Sequence, residues 1–279
     1  MSRHSSRVRV PDLIKKKSLR QKITVLTAYD ASMAGLLDRA GIDALLVGDS
    51  LGMVVMGHDT TIPVTLDAMI HHTAAVARGA KRALVIADMP FLTYQITGGE
   101  ALRNAGRLIQ EGGASAVKVE GGMAIAEIIR RIVDAGIPVM GHIGLTPQAV
   151  HQLGGFRAVG GTEQEAARLL EEAQAVELAG AFALVLECIP PEVAAGITAK
   201  LSIPTIGIGA GPHCDGQVLV SYDAFGLFDA MAPRFVKQYA ALGEQMIEAA
   251  KQYIQEVERG EFPAPEHTFG PRASTKTSR

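Results

Sequence analysis

Five short apolar runs in this chain each end on an ionisable side chain, and that punctuation constrains the fold more than any other feature. Leu45-Leu46-Val47-Gly48 stops at Asp49, with Ser50, Leu51 and Gly52 behind it. LVIAD stops at Asp88, AVKVE at Glu120, PVMGH at His142 and ALVLE at Glu187. Runs of this length are those of buried strands and fall short of a core helix. In a parallel barrel the C-terminal ends of all strands open on one mouth, where five such groups would meet.

The segments between these runs carry a helical period. Ile23–Thr27 predicts a first strand, and Asp30 is placed to cap the amphipathic run Met33–Ala40. Strands are expected over Asp43–Gly48, Ala83–Ala87, Ala116–Val119, from Pro138–Met140 onward, and over Ala183–Leu186, Thr205–Ile208 and Gln217–Val220. Helices are expected over Thr65–Arg78, Gly98–Gln110, Met123–Asp134, Thr162–Leu178, Pro191–Lys200 and Phe235–Glu258, the last covering the fold. A weak internal repeat supports this register. Ala40-Gly41, Gly112-Gly113, Ala135-Gly136 and Ala179-Gly180 each end a helix-like run, and six to eight residues past each pair's second glycine or only glycine comes Asp49, Glu120, His142 or Glu187.

Alternating βα units imply a parallel sheet, and eight of them imply a single-domain (βα)8 TIM barrel, an open doubly wound sheet being the alternative. The expected layout is an N-terminal extension with a short helix over 1–22, a barrel over 23–260 and a partly disordered tail over 261–279. Pro11–Lys17 reads as a basic helix capping one end of the barrel with its lysines solvated. The glycine-rich segment 144–161 is long for a barrel-mouth loop, which is usually a functional feature.

With 48% hydrophobic residues, 5% aromatic and no Trp, the core must be built from Val, Ile, Leu, Ala and Met, as barrel layers are. A formal charge of −2 supplies no basic field for nucleic acid, so a small-molecule substrate is expected. Cys188 and Cys214 make no disulfide framework and point to a reducing compartment. No run reaches the roughly 18 apolar residues of a membrane span. The Arg- and Ser-rich start lacks the apolar core of a secretion signal; a frayed terminus is preferred to a transit segment, and the location is read as cytoplasmic.

Asp49, Asp88 and Glu120 end neighbouring strands, so three like charges converge and need a counter-charge. All-oxygen donors suit a hard cation, Mg²⁺ by preference; taken one at a time, each carboxylate has the alternative of capping a helix or tying a loop. Lys118 shares a strand face with Glu120, either to meet an anionic substrate group or as a plain buried ion pair. His142 is placed to donate to a substrate carboxylate or carbonyl, with a structural histidine as the alternative. Glu187 has no assigned cation and is a candidate general base. Cys188 points to the other face and is no nucleophile. His71 and His72 are adjacent, not at ligand spacing, and read as surface. Gly207-Ile208-Gly209-Ala210-Gly211 either cradles phosphate or permits close backbone packing.

The stretches LTAYDASMAGLLDRAGIDALLVGDSLGMVVMGHDTT, ADMPFLTYQ, VKVEGG, GHIGLTPQ, ECIP, IPTIGIGAGPHCDGQVLV and PRFVKQYA span about residues 23–240 in order. Together they resemble the ketopantoate hydroxymethyltransferase family. The resemblance implies a barrel of the phosphoenolpyruvate/pyruvate superfamily assembled as a homo-decamer of two pentameric rings. It implies transfer of a hydroxymethyl group from 5,10-methylenetetrahydrofolate to 3-methyl-2-oxobutanoate, a 2-oxo acid, giving ketopantoate for pantothenate biosynthesis through a Mg²⁺-stabilised enolate. Metal ligation falls by resemblance on Asp49, Asp88 and Glu120, substrate contacts on Ser50, Lys118 and His142 besides Asp49 and Asp88, and the base on Glu187. Folate is expected to enter through the loops at the mouth. The segment FRAVGG and the basic tail 271–279 depart from the family pattern. Two rival classes are a Mg²⁺-dependent lyase or mutase of the same superfamily, active without folate, and a non-catalytic binding barrel, without turnover.

Overall fold

Each of the eight expected strands forms, and hydrogen bonding between the first and the last closes them into a barrel. The computed structural model describes residues 6–153, 158–228 and 233–270. In chain order the described elements are α1 (Val10–Ser18), β1 (Ile23–Thr27), α2 (Ala31–Ala40), β2 (Ala44–Val47), α3 (Leu51–Val54), α4 (Leu66–Gly79), β3 (Leu84–Asp88), α5 (Gly98–Gln110) and β4 (Ala116–Glu120). There follow α6 (Ala126–Asp134), β5 (Val139–Gly144), α7 (Val150–Leu153), α8 (Glu163–Leu178), β6 (Ala183–Glu187), α9 (Pro191–Lys200), β7 (Thr205–Ile208), β8 (Gly216–Leu219), α10 (Ser221–Ala224) and α11 (Leu242–Glu258). All eight strand pairs are parallel; Ile23 of β1 lies against Gly216 of β8, and Leu26 against Leu219. The (βα)8 barrel is therefore closed by its own ladder, and the open-sheet alternative is excluded.

Local chemistry accounts for the boundaries. Asp30 caps α2 by accepting from the Met33 N–H, and Thr65 does the same for α4 from Ala68. Thr162 and Glu165 form a reciprocal capping box at the start of α8. The repeat glycines are helix stops: Gly41, Gly113, Gly136 and Gly180 have φ of 92°, 73°, 87° and 96°, a left-handed conformation that ends a helix with little strain only in glycine.

The interior is set by strand parity. Val25, Ile86, Ala116, Met140 and Val185 belong to one buried apolar cluster, with Leu13 of α1 added to it. Two residues on along the same strands, on the same inward face, stand Thr27, Asp88, Lys118, His142 and Glu187. Polar chemistry thus sits directly above the apolar plug. Leu13 bears out α1 as an end cap, but its lysines are not simply solvated: Lys16 pairs with Asp43 at 2.6 Å and Lys17 with Asp215 at 2.7 Å.

The chain divides into two compact units, Met1–Ser221 with Ala232–Val236, and Tyr222–Met231 with Lys237–Arg279. The first contains the whole barrel. The second contains α11, which begins at Leu242 rather than Phe235 and has no buried residue. Within this unit the Tyr239 N–H goes to the Ala224 carbonyl and that of Leu242 to Phe225, so these backbone groups are not free to extend the helix toward its N-terminus. Loop 144–161 carries a 3₁₀ turn over Pro147–Ala149 and then α7. Of FRAVGG, the segment that departs from the family pattern, Phe156 and Arg157 lie outside the described residues, as does tail 271–279, whereas 158–161 are described.

Candidate active site at the barrel mouth

Strand ends and one tight turn bring the expected residues together. Asp88, Glu120 and Glu187 are the last residues of β3, β4 and β6; Lys118 lies two before Glu120, and His142 lies within β5. Asp49 and Ser50 follow β2 in a turn where Gly48 leaves room for them: a Cβ there would come 2.8 Å from Ser50 Oγ, which would have to turn aside, and 3.5 Å from Asp88 Oδ2.

A continuous line of polar contacts then runs round the mouth from β2 to β6. The Asp49 N–H donates to Asp88 Oδ2 at 3.1 Å. Lys118 Nζ donates to Asp88 Oδ1 at 2.5 Å and stands 3.8 Å from Glu120 Oε1. His142 Nδ1 lies 3.3 Å from Glu120 Oε1, and its Nε2 lies 3.2 Å from Glu187 Oε2. These last two contacts are within ion-pair range but lack hydrogen-bond alignment. Asp49, Asp88, Lys118, Glu120 and His142 are all buried.

Burial sets the electrostatics. Asp49 is pushed well above the ordinary carboxylate range by burial, then by the charges of Asp88 and Glu120. Asp88 is also raised by burial, against the pull of Lys118. Burial works the same way on Glu120, but His142 and Lys118 outweigh it and hold its carboxyl below the usual value. Burial opposes the charge on His142, yet Glu120 raises the imidazole to about 9, so it is cationic at neutral pH. Lys118 stays protonated, its burial outweighed by Asp88, Glu120 and Asp49. Three carboxylates therefore share one ammonium and one imidazolium, the latter shared in turn with Glu187.

Asp49, Asp88 and Glu120 supply the oxygen donors that suit a hard divalent cation. Among the described residues no group of three His, Cys, Asp or Glu side chains is arranged as a ready-made metal cage. The fit lies in the donor chemistry: three buried carboxyls stand around the one Lys118 ammonium, and burial, with the neighbouring carboxylate charges behind it, raises Asp49 and Asp88.

The other candidates separate from this line. Ser50 Oγ is hydrogen-bonded with the Tyr29 hydroxyl at 2.9 Å. Lys118 makes the buried ion pair that was one of its two readings. The Cys188 thiol is pushed up to about 11 by burial and the Glu187 charge, which disfavours the nucleophilic thiolate. His72 is half-buried and bonded to the Tyr29 carbonyl at 2.7 Å, so only His71 of the pair is a surface residue. A Cβ on Gly209 would strike the Phe235 ring and one on Gly211 would strike Pro191, which is the close-packing explanation of that glycine run.

A cavity of about 930 Å³ adjoins the line of contacts, with Phe91, Gln95, Glu120, Met123, Gln148 and Glu172 among its lining. Two of the residues that organise this region, Tyr94 and Gln148, escaped the sequence reading. Both lie in stretches that carry the family resemblance, ADMPFLTYQ and GHIGLTPQ, but they are buried and their side-chain partners are 26 to 99 residues away, so no spacing along the chain assigns them a role.

A family model described as ketopantoate hydroxymethyltransferase matches residues 7–265. The 3-methyl-2-oxobutanoate hydroxymethyltransferase of Pelobacter propionicus is 55% identical over 269 residues, covering 96% of this chain and 100% of that protein. That of Moorella thermoacetica is 58% identical over 264 residues, covering 95% and 98%. Among solved structures, a phosphonopyruvate hydrolase complex with oxalate and Mg²⁺ superposes with a TM-score of 0.61 at 12% identity over 93% of both chains, a likeness of fold.

Proposed function

The chain belongs to the ketopantoate hydroxymethyltransferase family, and we propose that it draws its one-carbon unit from 5,10-methylenetetrahydrofolate, with Asp49, Asp88 and Glu120 holding Mg²⁺ and Glu187 as the base. As an enzyme of this family it transfers a hydroxymethyl group to 3-methyl-2-oxobutanoate and forms ketopantoate.

The new carbon–carbon bond is made at C3, next to the ketone, so the C3 proton must leave first. Glu187 takes that proton, and the C–H electron pair moves onto the ketone oxygen. When bound, a hard divalent cation supplies electrophilic stabilisation for the charge gathering there. Lys118 and His142 add fixed positive charge for the substrate carboxylate and for the same developing charge, and Ser50 adds a hydroxyl. C3 then bonds to the methylene carbon of the folate as the bond from that carbon to N10 breaks; water replaces N5 on the same carbon and supplies the hydroxyl oxygen, and tetrahydrofolate departs with the proton taken from C3 and one proton of the water on its two nitrogens. The 930 Å³ cavity beside Glu120 offers room for the folate.

The observation that carries this reading is His142 standing between Glu120 and Glu187, at 3.3 and 3.2 Å, which sets the base beside the carboxylate group. Wild-type protein with Mg²⁺ and 3-methyl-2-oxobutanoate, without folate, should exchange the C3 hydrogen with D₂O, followed by NMR. Glu187→Gln, nearly isosteric, should bind substrate and slow exchange by about 10²–10⁴-fold, the usual contribution of a general base. Exchange as fast as wild type would remove Glu187 from that role.

Homo-oligomerisation, as a decamer, is part of the same proposal. Its support, besides the family resemblance, is α11, whose Met246, Ile247, Tyr253, Ile254 and Val257 are all exposed. Light scattering should give a particle several times the 29.4 kDa chain; a monomer would contradict it. A cytoplasmic location is proposed on the two free cysteines, Cys188 and Cys214. No described helix is long and apolar enough to cross a membrane.

A further inference from the structure

Gln148 has no part in the chemistry above, yet it is a buried amide whose polar atoms all meet partners of the site. Its backbone N–H donates to Glu120 Oε2 at 3.1 Å. Its side-chain Nε2 donates to Asp49 Oδ2 at 2.8 Å and to the Met89 carbonyl at 2.9 Å. Its Oε1 accepts from the Tyr94 hydroxyl at 2.7 Å and from Gln95 Nε2 at 3.3 Å.

The amide has one orientation consistent with these partners. A main-chain carbonyl takes a donor, so Nε2 must face Met89. The Tyr94 hydroxyl already accepts the Glu120 N–H at 3.0 Å, which leaves its own proton for Oε1 or for the Glu120 carbonyl at 3.1 Å. Tyr94 is fully buried, so its ring has no freedom to swing away into solvent.

The choice of an amide has a physical reason. A lysine or arginine at this position would satisfy the Asp49 oxygen but neutralise it, while the Glu120 oxygen is held by the backbone N–H whatever the side chain. An amide donor fixes a carboxylate while leaving its charge available to a cation, as the outer partners of metal ligands do. Gln148 engages two carboxylates from different strands, Asp49 after β2 and Glu120 on β4, each through one oxygen, and so fixes how the pair is presented. Leaving either carboxylate without this buried donor would cost it an orientation as well as a hydrogen bond.

We propose that Gln148 is the positioning residue for the Asp49–Glu120 carboxylate pair, with Tyr94 setting the orientation of its amide. This rests on the metal reading given above. It also ties the loop after β5 to the cation: the residue that orders the carboxylates lies on the same loop as part of the cavity lining, four residues beyond the end of β5.

The test uses the full chain stripped of metal and titrated with Mn²⁺, followed by electron paramagnetic resonance, with melting temperature as a control. Gln148→Ala should weaken Mn²⁺ binding by about 10–100-fold while the protein still melts cooperatively. Tyr94→Phe should weaken it less, and the double variant should fall short of the product of the two single losses, because part of the Tyr94 effect passes through the amide. In turnover, saturating Mg²⁺ should restore much of the lost rate to Gln148→Ala, which a general loss of packing would not allow. Mn²⁺ affinity in Gln148→Ala within twofold of wild type would overturn the inference. If that variant does not fold, unchanged affinity in Tyr94→Phe overturns it instead. Failure of wild type itself to bind Mn²⁺ would bring down the metal reading, and this inference with it, and is distinguishable from the other outcomes.

Discussion

At the N-terminal end of the barrel Asp43 accepts from Lys16 Nζ at 2.6 Å, from the Thr24 N–H at 2.9 Å and from the Thr24 hydroxyl at 3.0 Å. Asp215 repeats the arrangement with Lys17 at 2.7 Å and with the N–H and hydroxyl of Thr205 at 2.9 and 3.2 Å. Each carboxylate there has its own lysine and its own threonine. At the C-terminal end Asp49, Asp88 and Glu120 share Lys118, and Glu120 shares His142 with Glu187. The outcomes have opposite signs: burial would raise Asp43, but Lys16 and Thr24 hold it below the ordinary carboxylate value, whereas Asp49 and Asp88 are raised. One end spends its charges on holding α1 and the strand starts together. The other leaves its carboxylates to share two cations, at the place proposed for the metal, and a cost in stability there is one that functional sites commonly bear.

The most forceful way to break this contrast is Asp49→Asn. The asparagine oxygen can still accept from Gln148 Nε2, so the fold should hold, but a charge belonging to the proposed metal site is gone. Activity should fall on the order of 10²–10³-fold, the scale of losing one electrostatic stabiliser of a transition state. In chelator, however, the variant should melt at the same temperature as wild type or above it, because one uncompensated buried charge has been removed. A clear fall in melting temperature would mean that the two ends of the barrel are not different in kind.

How much of this was legible beforehand follows the same division between local and distant. Asp30 announces its helix because a cap and the N–H it satisfies are three residues apart, and Thr65 and Thr162 prove to cap theirs at the same spacing. The line-up of Asp88, Lys118, Glu120, His142 and Glu187 was legible because inward-facing residues alternate along a strand, and all strand ends of a parallel barrel face one way. Lys16 and Lys17 were read as solvated because their partners lie 27 and 198 residues further on. Gln148 was invisible for the same reason: its contacts to Asp49, Met89 and Glu120 exist only once β2, β3 and β4 stand side by side. The start of α11 was misplaced because Phe235–Ala241 has helix-forming composition, while the chain uses the N–H groups of Tyr239 and Leu242 elsewhere.

The gentler test works on the N-terminal end, where Asp43→Asn removes a charge that is fully compensated. Lys16 loses its carboxylate, and the Thr24 N–H and hydroxyl keep at most a neutral acceptor. The loss should be about 1–3 kcal/mol of stability, the range for hydrogen bonds to a charged group, reduced by the partial exposure of Lys16. Specific activity of the folded fraction should not change. The pH dependence gives the sign independently. Because the folded Asp43 lies below its unfolded value near 3.8, its stabilisation is fully present above that value and disappears as pH falls through the lowered one. Wild type and Asp43→Asn should therefore differ by a constant melting-temperature gap from neutral pH down to about 4 and converge in stronger acid. Asp49→Asn should show the opposite course in chelator: its advantage over wild type is present at neutral pH, begins to shrink as pH falls through the raised Asp49 value, and is gone only once pH has fallen below the unfolded value near 3.8, where the carboxyl is protonated in both states. Melting curves of the three proteins against pH give both gaps. If the Asp43→Asn gap persisted unchanged into strong acid, the charge on Asp43 would not be what stabilises that end of the barrel, and packing of α1 through Leu13 would have to account for it.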